Sequence, residues 1–154
     1  MKASSFLFCA QMKYRIPLEL LPLEADGCHL LLEAHWFRKK LRLVLDTGAS
    51  KTVFDKAMMQ KKFPEVSLQL SEQQSAGLGT TQMESFLFDL DGLRLGKCKI
   101  KEMQAASLDL EHILASYAQM GQGPIHGILG GDVLWKLGAK IDYRKKVLLL
   151  RDDG

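Results

Sequence analysis

Short segments with apolar residues at every second position recur along this chain of 154 residues. This period of two is typical of strands that bury one face and expose the other. The first such segment contains Ile16, Leu18 and Leu20, and Asp26-Gly27 then predicts a hairpin turn. The other strand-like segments are His29–Phe37, Leu41–Leu45, Val66–Leu70, Phe86–Leu90, Ile100–Leu108, Ile128–Leu129, Ile141 and Val147–Leu150. The pattern predicts a mostly β domain.

A few segments between the strands carry helix signals instead. They are residues 55–62, 110–120 and 132–137. Asp55 and Asp132 stand where a side chain can cap the first turn, so we expect both to be N-cap residues. Trp36 and Trp135 hold periodic positions, and we expect both to pack in the core. The helices are short, so they decorate the β domain rather than define it.

Composition excludes several functional classes. The 21 Lys and Arg residues and 18 Asp and Glu residues give a net charge of +3, without the clustered basic face of a nucleic-acid-binding protein. Three cysteines without a CxxC pair and four scattered histidines predict neither a disulfide framework nor a metal site, and no cofactor is implied. No apolar run reaches the roughly 18 residues of a membrane span.

Asp46 ends an apolar strand and is followed by Thr47, Gly48, Ala49 and Ser50. A carboxylate at such a position needs hydrogen-bond partners. Two hydroxyl groups and the backbone N–H groups of small residues can supply them from a tight loop. Asp46-Thr47-Gly48 alone also fits an ordinary turn at the end of a strand. It indicates a function only in combination with other motifs of the chain.

A second motif lies about 80 residues later, where Ile128, Leu129 and Gly130 precede Gly131-Asp132. The order of LRLVLDTGASKTVFD and GILGGDVLWKLGAKIDYRKKVLLL resembles the retropepsin-like (clan AA) aspartic proteases, in particular single-domain bacterial members. The resemblance covers about residues 14–151. It implies a retropepsin-like acid-protease fold: a closed, barrel-like, mostly β domain with one or two short helices and one lobe per chain.

The same resemblance implies an aspartic endopeptidase that hydrolyses peptide or protein substrates. Asp46, Thr47 and Gly48 are then the catalytic motif, supported by Ala49 and Ser50, and Ile128-Leu129-Gly130 packs beside it. This family needs two aspartates that share a proton. The chain has one such motif, so the resemblance implies a homodimer with Asp46 from each copy at the two-fold axis.

The resemblance also assigns a substrate-covering flap to the polar stretch that contains Ala76, Gly77, Leu78 and Gly79. We expect residues 1–13 to be an N-terminal extension, disordered or left from a targeting segment, and residues 14–154 to be the protease domain. The sequence leaves the compartment open between the cytoplasm and export. It also leaves open a catalytically silent retropepsin-like domain that binds peptides or partner proteins.

Overall fold

A computed structural model describes residues 12–72 and 83–151. The proposed extension and the flap residues Ala76, Gly77, Leu78 and Gly79 lie outside these ranges, apart from the last two residues of the extension. The elements in chain order are β1 (Tyr14–Pro17), β2 (Glu19–Pro22), β3 (Cys28–Trp36), β4 (Lys39–Leu45), β5 (Val53–Asp55), α1 (Lys56–Lys62), β6 (Gln69–Leu70), β7 (Phe86–Leu90), β8 (Arg94–Leu95), β9 (Cys98–Lys99), β10 (Met103–Leu108), α2 (Glu111–Gln119), β11 (Gly127–Leu129), α3 (Gly131–Lys136), β12 (Lys140–Asp142) and β13 (Val147–Leu150).

The strands form two sheets. In the ten-stranded sheet the order is β6-β7-β10-β5-β11-β4-β3-β8-β9, with β2 paired to β3, and the three-stranded sheet has the order β1-β13-β12. The mostly β prediction is confirmed. Within residues 12–72 and 83–151 neither sheet closes on itself, so these residues do not form the expected closed barrel, and they contain three short helices rather than one or two.

The position of β11 organises the large sheet. It lies between β4 and β5, parallel to β4 and antiparallel to β5. Residues of β11 follow β4 by more than 80 positions in sequence, yet Leu129 is paired with Leu45. The end of β4 and the start of α3 therefore meet, which brings the two sequence motifs together.

Residues paired across strands share one face of a sheet. Leu45, Leu129 and Phe54 belong to the face that packs in the main core, where each is 8% exposed or less. The opposite face contains four residues that are paired across neighbouring strands: Val44, Ile128, Val53 and Ala106. We call this second face the outer face.

The two halves of the outer face have different surroundings. On the half formed by β2, β3 and β4, α2 covers the sheet and builds a second cluster of buried residues: Leu21, Leu31, Val44, Tyr117 and Ile125. On the half formed by β5, β10 and β7, a cavity of about 840 Å³ lies over the sheet. We call these halves the covered flank and the open flank.

The helix-cap predictions have opposite outcomes. Asp55 caps α1 as expected, because its Oδ2 accepts a hydrogen bond from Met58 N–H at 3.0 Å. The prediction for Asp132 is wrong: Gly130 is the N-cap of α3, and Asp132 lies within the first turn.

The prediction that both tryptophans pack in the core is right for one and wrong for the other. Trp36 is 2% exposed and its ring contacts Phe54, Phe63 and Phe88, as expected for a core residue. The prediction for Trp135 is wrong, since this side chain is 91% exposed. Val133 and Leu134 occupy the buried face of α3, and the helical turn places Trp135 outside that face.

Candidate active site

Asp46 is the first residue after β4 and is exposed. Its backbone N–H donates to the carbonyl oxygen of Leu129 at 3.1 Å, which extends the pairing of β4 with β11 by one step. Its carbonyl oxygen accepts a hydrogen bond from Ala49 N–H at 3.3 Å, which closes a turn. The backbone of Asp46 is thus fixed from two directions while the carboxylate remains accessible.

The carboxylate is oriented by the glycine two residues later. Gly48 N–H donates to Asp46 Oδ1 at 2.8 Å, and a Cβ at Gly48 would stand 3.2 Å from that oxygen. Thr47 and Ser50 are exposed and Ala49 is half-buried. Within residues 12–72 and 83–151, neither hydroxyl donates to Asp46, so a backbone N–H supplies the orientation that we expected from several converging donors.

Ile128, Leu129 and Gly130 lie directly beside this loop, where the sequence motif predicted them. A Cβ on Gly130 would be 2.5 Å from Lys51 O and 2.9 Å from Ala49 O, so the loop passes over a position that only glycine can fill. The next residue donates its N–H to Ala49 O at 2.7 Å. The glycine pair therefore holds the loop after Asp46 against the start of α3.

Asp132 contributes a contact that the sequence did not predict. Its carboxylate accepts hydrogen bonds from Thr52 N–H at 2.9 and 3.0 Å and from Thr52 Oγ1 at 2.7 Å. Thr52 is 0% exposed, and its Oγ1 in turn accepts from Gly130 N–H at 3.0 Å. The two residues are 80 positions apart, so no local pattern pairs them.

The cavity of the open flank begins at the same loop. Its lining includes Gly48, Ala49, Ser50 and Lys51. Apolar residues from three strands contribute Val53, Leu87, Ala106 and Leu108, and polar lining comes from Ser71, Glu72, Ser85 and Gln104. The cavity therefore adjoins the loop that follows Asp46 and is lined in part by apolar side chains.

No group of three or more His, Cys, Asp or Glu residues in residues 12–72 and 83–151 is arranged to hold a metal ion. Among the helices in this part of the chain, none has the length and hydropathy needed to span a bilayer.

Comparison with known proteins places this geometry in a family. The family model described as "Aspartyl protease" matches residues 33–133, which include both the Asp46 loop and Ile128-Leu129-Gly130. The chain belongs to the aspartyl protease family. Comparison with curated protein sequences gave no significant match.

Solved structures show the same fold for this aspartyl protease family member. A retropepsin-like aspartic protease from Rickettsia conorii is similar with a TM-score of 0.54 and 20% identity, covering 92% of this chain and 98% of that chain. The retroviral protease-like domain of Ddi1 from Leishmania major is similar with a TM-score of 0.53 and 13% identity, covering 79% and 87% of the two chains. The retropepsin-like fold predicted from the two motifs is confirmed.

Proposed function

We propose that this protein is an aspartic endopeptidase that acts as a homodimer, with Asp46 from each protomer forming the catalytic dyad. The observation that carries the proposal is the exposed Asp46 carboxylate, oriented by Gly48 N–H at 2.8 Å, on a loop whose next residues line a cavity of about 840 Å³. One chain supplies one such aspartate. A two-fold axis beside the loop brings the second aspartate from an identical chain.

The chemistry follows from two carboxylates that cannot both ionise at close range and therefore share one proton. The ionised carboxylate takes a proton from a water molecule while the oxygen of that water attacks the peptide carbonyl carbon. The protonated carboxyl polarises the carbonyl oxygen, and the amine leaves with a proton when the carbon–nitrogen bond breaks. Gly48 N–H donates to Asp46 Oδ1 and orients the carboxylate, while Thr47, Ala49 and Ser50 complete the loop.

The neighbouring motif has a positioning role in this proposal. Ile128, Leu129 and Gly130 hold the carboxylate in register, because Leu129 O accepts Asp46 N–H and Gly130 leaves room for the loop. The open flank takes a substrate side chain against Val53, Leu87 and Leu108. The flap assigned to Ala76, Gly77, Leu78 and Gly79 remains a prediction.

Peptide cleavage by matched variants tests the proposal. A proteome-derived peptide pool is incubated with the wild type, with Asp46→Asn and with Asp142→Asn. The last removes a carboxylate charge where Asp142 Oδ1 accepts Lys145 N–H, on the three-stranded sheet. We expect Asp46→Asn to lose about a thousandfold or more in rate, on the scale of general acid–base catalysis, and Asp142→Asn to retain activity.

The pH profile and the oligomeric state provide two further tests. The rate should follow a bell-shaped curve on the acidic to neutral side, because one proton must be shared by the dyad. Sedimentation should show a dimer at concentrations that support cleavage. A wild type that binds peptides but cleaves none, or that is active as a monomer, would contradict the proposal; the former outcome indicates a catalytically silent peptide-binding domain.

A further inference from the structure

The covered flank contains His29, which lies at the end of β3 that is paired with the end of β4. Strand β3 pairs Leu31 with Val44 and Leu30 with Leu45. Continuing this register by one residue sets His29 opposite Asp46, and directly opposed residues share a face. On its other side His29 is paired with Leu21 of β2. His29 is exposed although its neighbours Leu21 and Leu31 on this face are buried.

Helix α2 fixes the orientation of that histidine. The hydroxyl of Tyr117 lies 2.6 Å from His29 Nδ1, and the two rings are 5.5 Å apart at 52°. Tyr117 is itself 5% exposed and is packed in the cluster that contains Val44 and Ile125. A buried and tightly packed tyrosine therefore holds an exposed imidazole at one side of the Asp46 loop.

The chemistry of the pair determines what the imidazole presents. Burial raises the pKa of the Tyr117 hydroxyl, and the negative charge of Asp46 raises that pKa further. The hydroxyl therefore stays protonated near neutral pH and can donate to His29 Nδ1. When Nδ1 accepts this hydrogen bond, the ring N–H is on Nε2 and is a hydrogen-bond donor. The surface next to Asp46 then combines apolar side chains with one oriented donor.

We propose that His29 is a specificity-determining residue that selects a substrate side chain with an oxygen acceptor next to the scissile bond, and that Tyr117 is its positioning residue. The substrate class is peptides with Gln, Asn, Glu or Asp at that position. This inference rests on the proposed endopeptidase function. In this inference the covered flank selects a polar substrate side chain, whereas the open flank receives an apolar one.

Matched octapeptides test this selection. Each peptide has the same apolar sequence and carries Gln, Glu, Leu or Met at one residue adjoining the scissile bond. Gln and Met are similar in length and volume, so their comparison isolates the hydrogen bond. We expect the wild type to cleave the Gln peptide with a kcat/KM about five- to tenfold above that of the Met peptide, the scale of one net hydrogen bond.

Variants assign the preference to the two residues. His29→Leu should cleave the Gln and Met peptides with equal kcat/KM, because the variant lacks the donor that distinguishes them. Tyr117→Phe keeps the packed ring and should reduce the preference without abolishing it. His35→Leu is the control, since His35 lies at the far end of the same strand, opposite Lys40. It should keep the wild-type preference.

Binding separates this inference from the proposed function. If the wild type cleaves no peptide, the endopeptidase proposal fails, and fluorescence anisotropy of the same labelled peptides on Asp46→Asn decides the role of His29. A Gln peptide that binds more tightly than the Met peptide, with the difference lost in Asp46→Asn combined with His29→Leu, supports the selection. Equal cleavage and equal binding of the two peptides, or a preference unchanged by His29→Leu, overturns it.

Discussion

The covered and open flanks belong to one face of one sheet, yet a helix shields one from water and a cavity lies over the other. On the covered flank, Leu31 and Val44 are 0% and 8% exposed because α2 lies over them. On the open flank, Val53 and Leu87 are half-buried and line a cavity of about 840 Å³. The strands alone therefore do not decide which part of the face can receive a ligand.

The segment between β10 and β11 makes this difference. It contains α2, whose Leu114 and Tyr117 are three residues apart and lie on the same side of the helix. Together with Ile125 they remove apolar surface of β3 and β4 from water. We infer that the covered flank contributes mainly to stability and to the orientation of His29, whereas the open flank contributes to substrate binding.

The largest effect is expected where both flanks meet. Gly130→Ala would place a Cβ 2.5 Å from Lys51 O, so the loop after Asp46 must move. We expect cleavage of every peptide to fall about a hundredfold or more, because small displacements of catalytic groups have effects of this size. Gly123→Ala is the control, as its Cβ would be 3.9 Å from the nearest atom, Arg42 Nη1. Normal kcat/KM in Gly130→Ala would show that the loop tolerates displacement.

Substitutions in the covered flank are expected to lower the free energy of unfolding. Ile125 is 6% exposed in the second cluster, and Ile125→Ala should lower the free energy of unfolding by about 2–4 kcal/mol. Urea denaturation measures the change. If the loss is below about 1 kcal/mol, Ile125 and the second cluster do not stabilise this flank as described.

The Thr52–Asp132 contact lies between the flanks and gives a comparable prediction. Asp132→Ala leaves the buried Thr52 N–H and hydroxyl without their acceptor, which should cost about 2–3 kcal/mol of unfolding free energy. Asp132→Asn keeps one acceptor oxygen and should lose less. Equal unfolding midpoints in urea for Asp132→Ala and the wild type would contradict this role.

Substitutions in the open flank are expected to change the relative kcat/KM for different peptides. Leu87→Ala enlarges the cavity, so kcat/KM for a peptide with a bulky aromatic side chain should rise about tenfold relative to one with a valine side chain. Unfolding free energy should change less than in Ile125→Ala, because Leu87 is half-buried. A large stability loss with unchanged specificity would reverse the comparison between the flanks.

The smallest effect concerns pH. Burial lowers the pKa of His126, and the positive charge of Lys62 lowers it further, although Arg42 N–H donates to Nδ1 at 2.9 Å. The unfolded chain binds more protons below the ordinary value of about 6.5, so stability falls as pH falls from there through the lowered pKa. His126→Asn cannot take up this proton. Urea midpoints at pH 7.5 and 5.0 should drop less in the variant than in the wild type; equal drops would count against this linkage.

The local predictions succeeded where neighbouring residues decide the structure. Most period-two apolar segments became strands, although only Gln69–Leu70 of the predicted Val66–Leu70 and Met103–Leu108 of the predicted Ile100–Leu108 did so. Asp55 capped α1, and Asp46 lies after the end of β4 as the apolar run before it indicated. The resemblance of the two motifs to the retropepsin-like family predicted the fold. The strands and the cap depend on chain stiffness, capping and apolar periodicity, all of which act over a few residues.

Tertiary structure decided the rest. Asp132 bonds Thr52 rather than capping α3, Trp135 is exposed because Val133 and Leu134 take the buried side, and α2 covers one flank of Asp46 but not the other. The Asp132–Thr52 contact depends on β11 entering between β4 and β5, which joins residues about 80 positions apart. The sequence by itself determined the strands and the carboxylate at their end. Only the long-range register determined what surrounds that carboxylate, because hydrogen bonds and packing between distant segments leave no local periodicity to read.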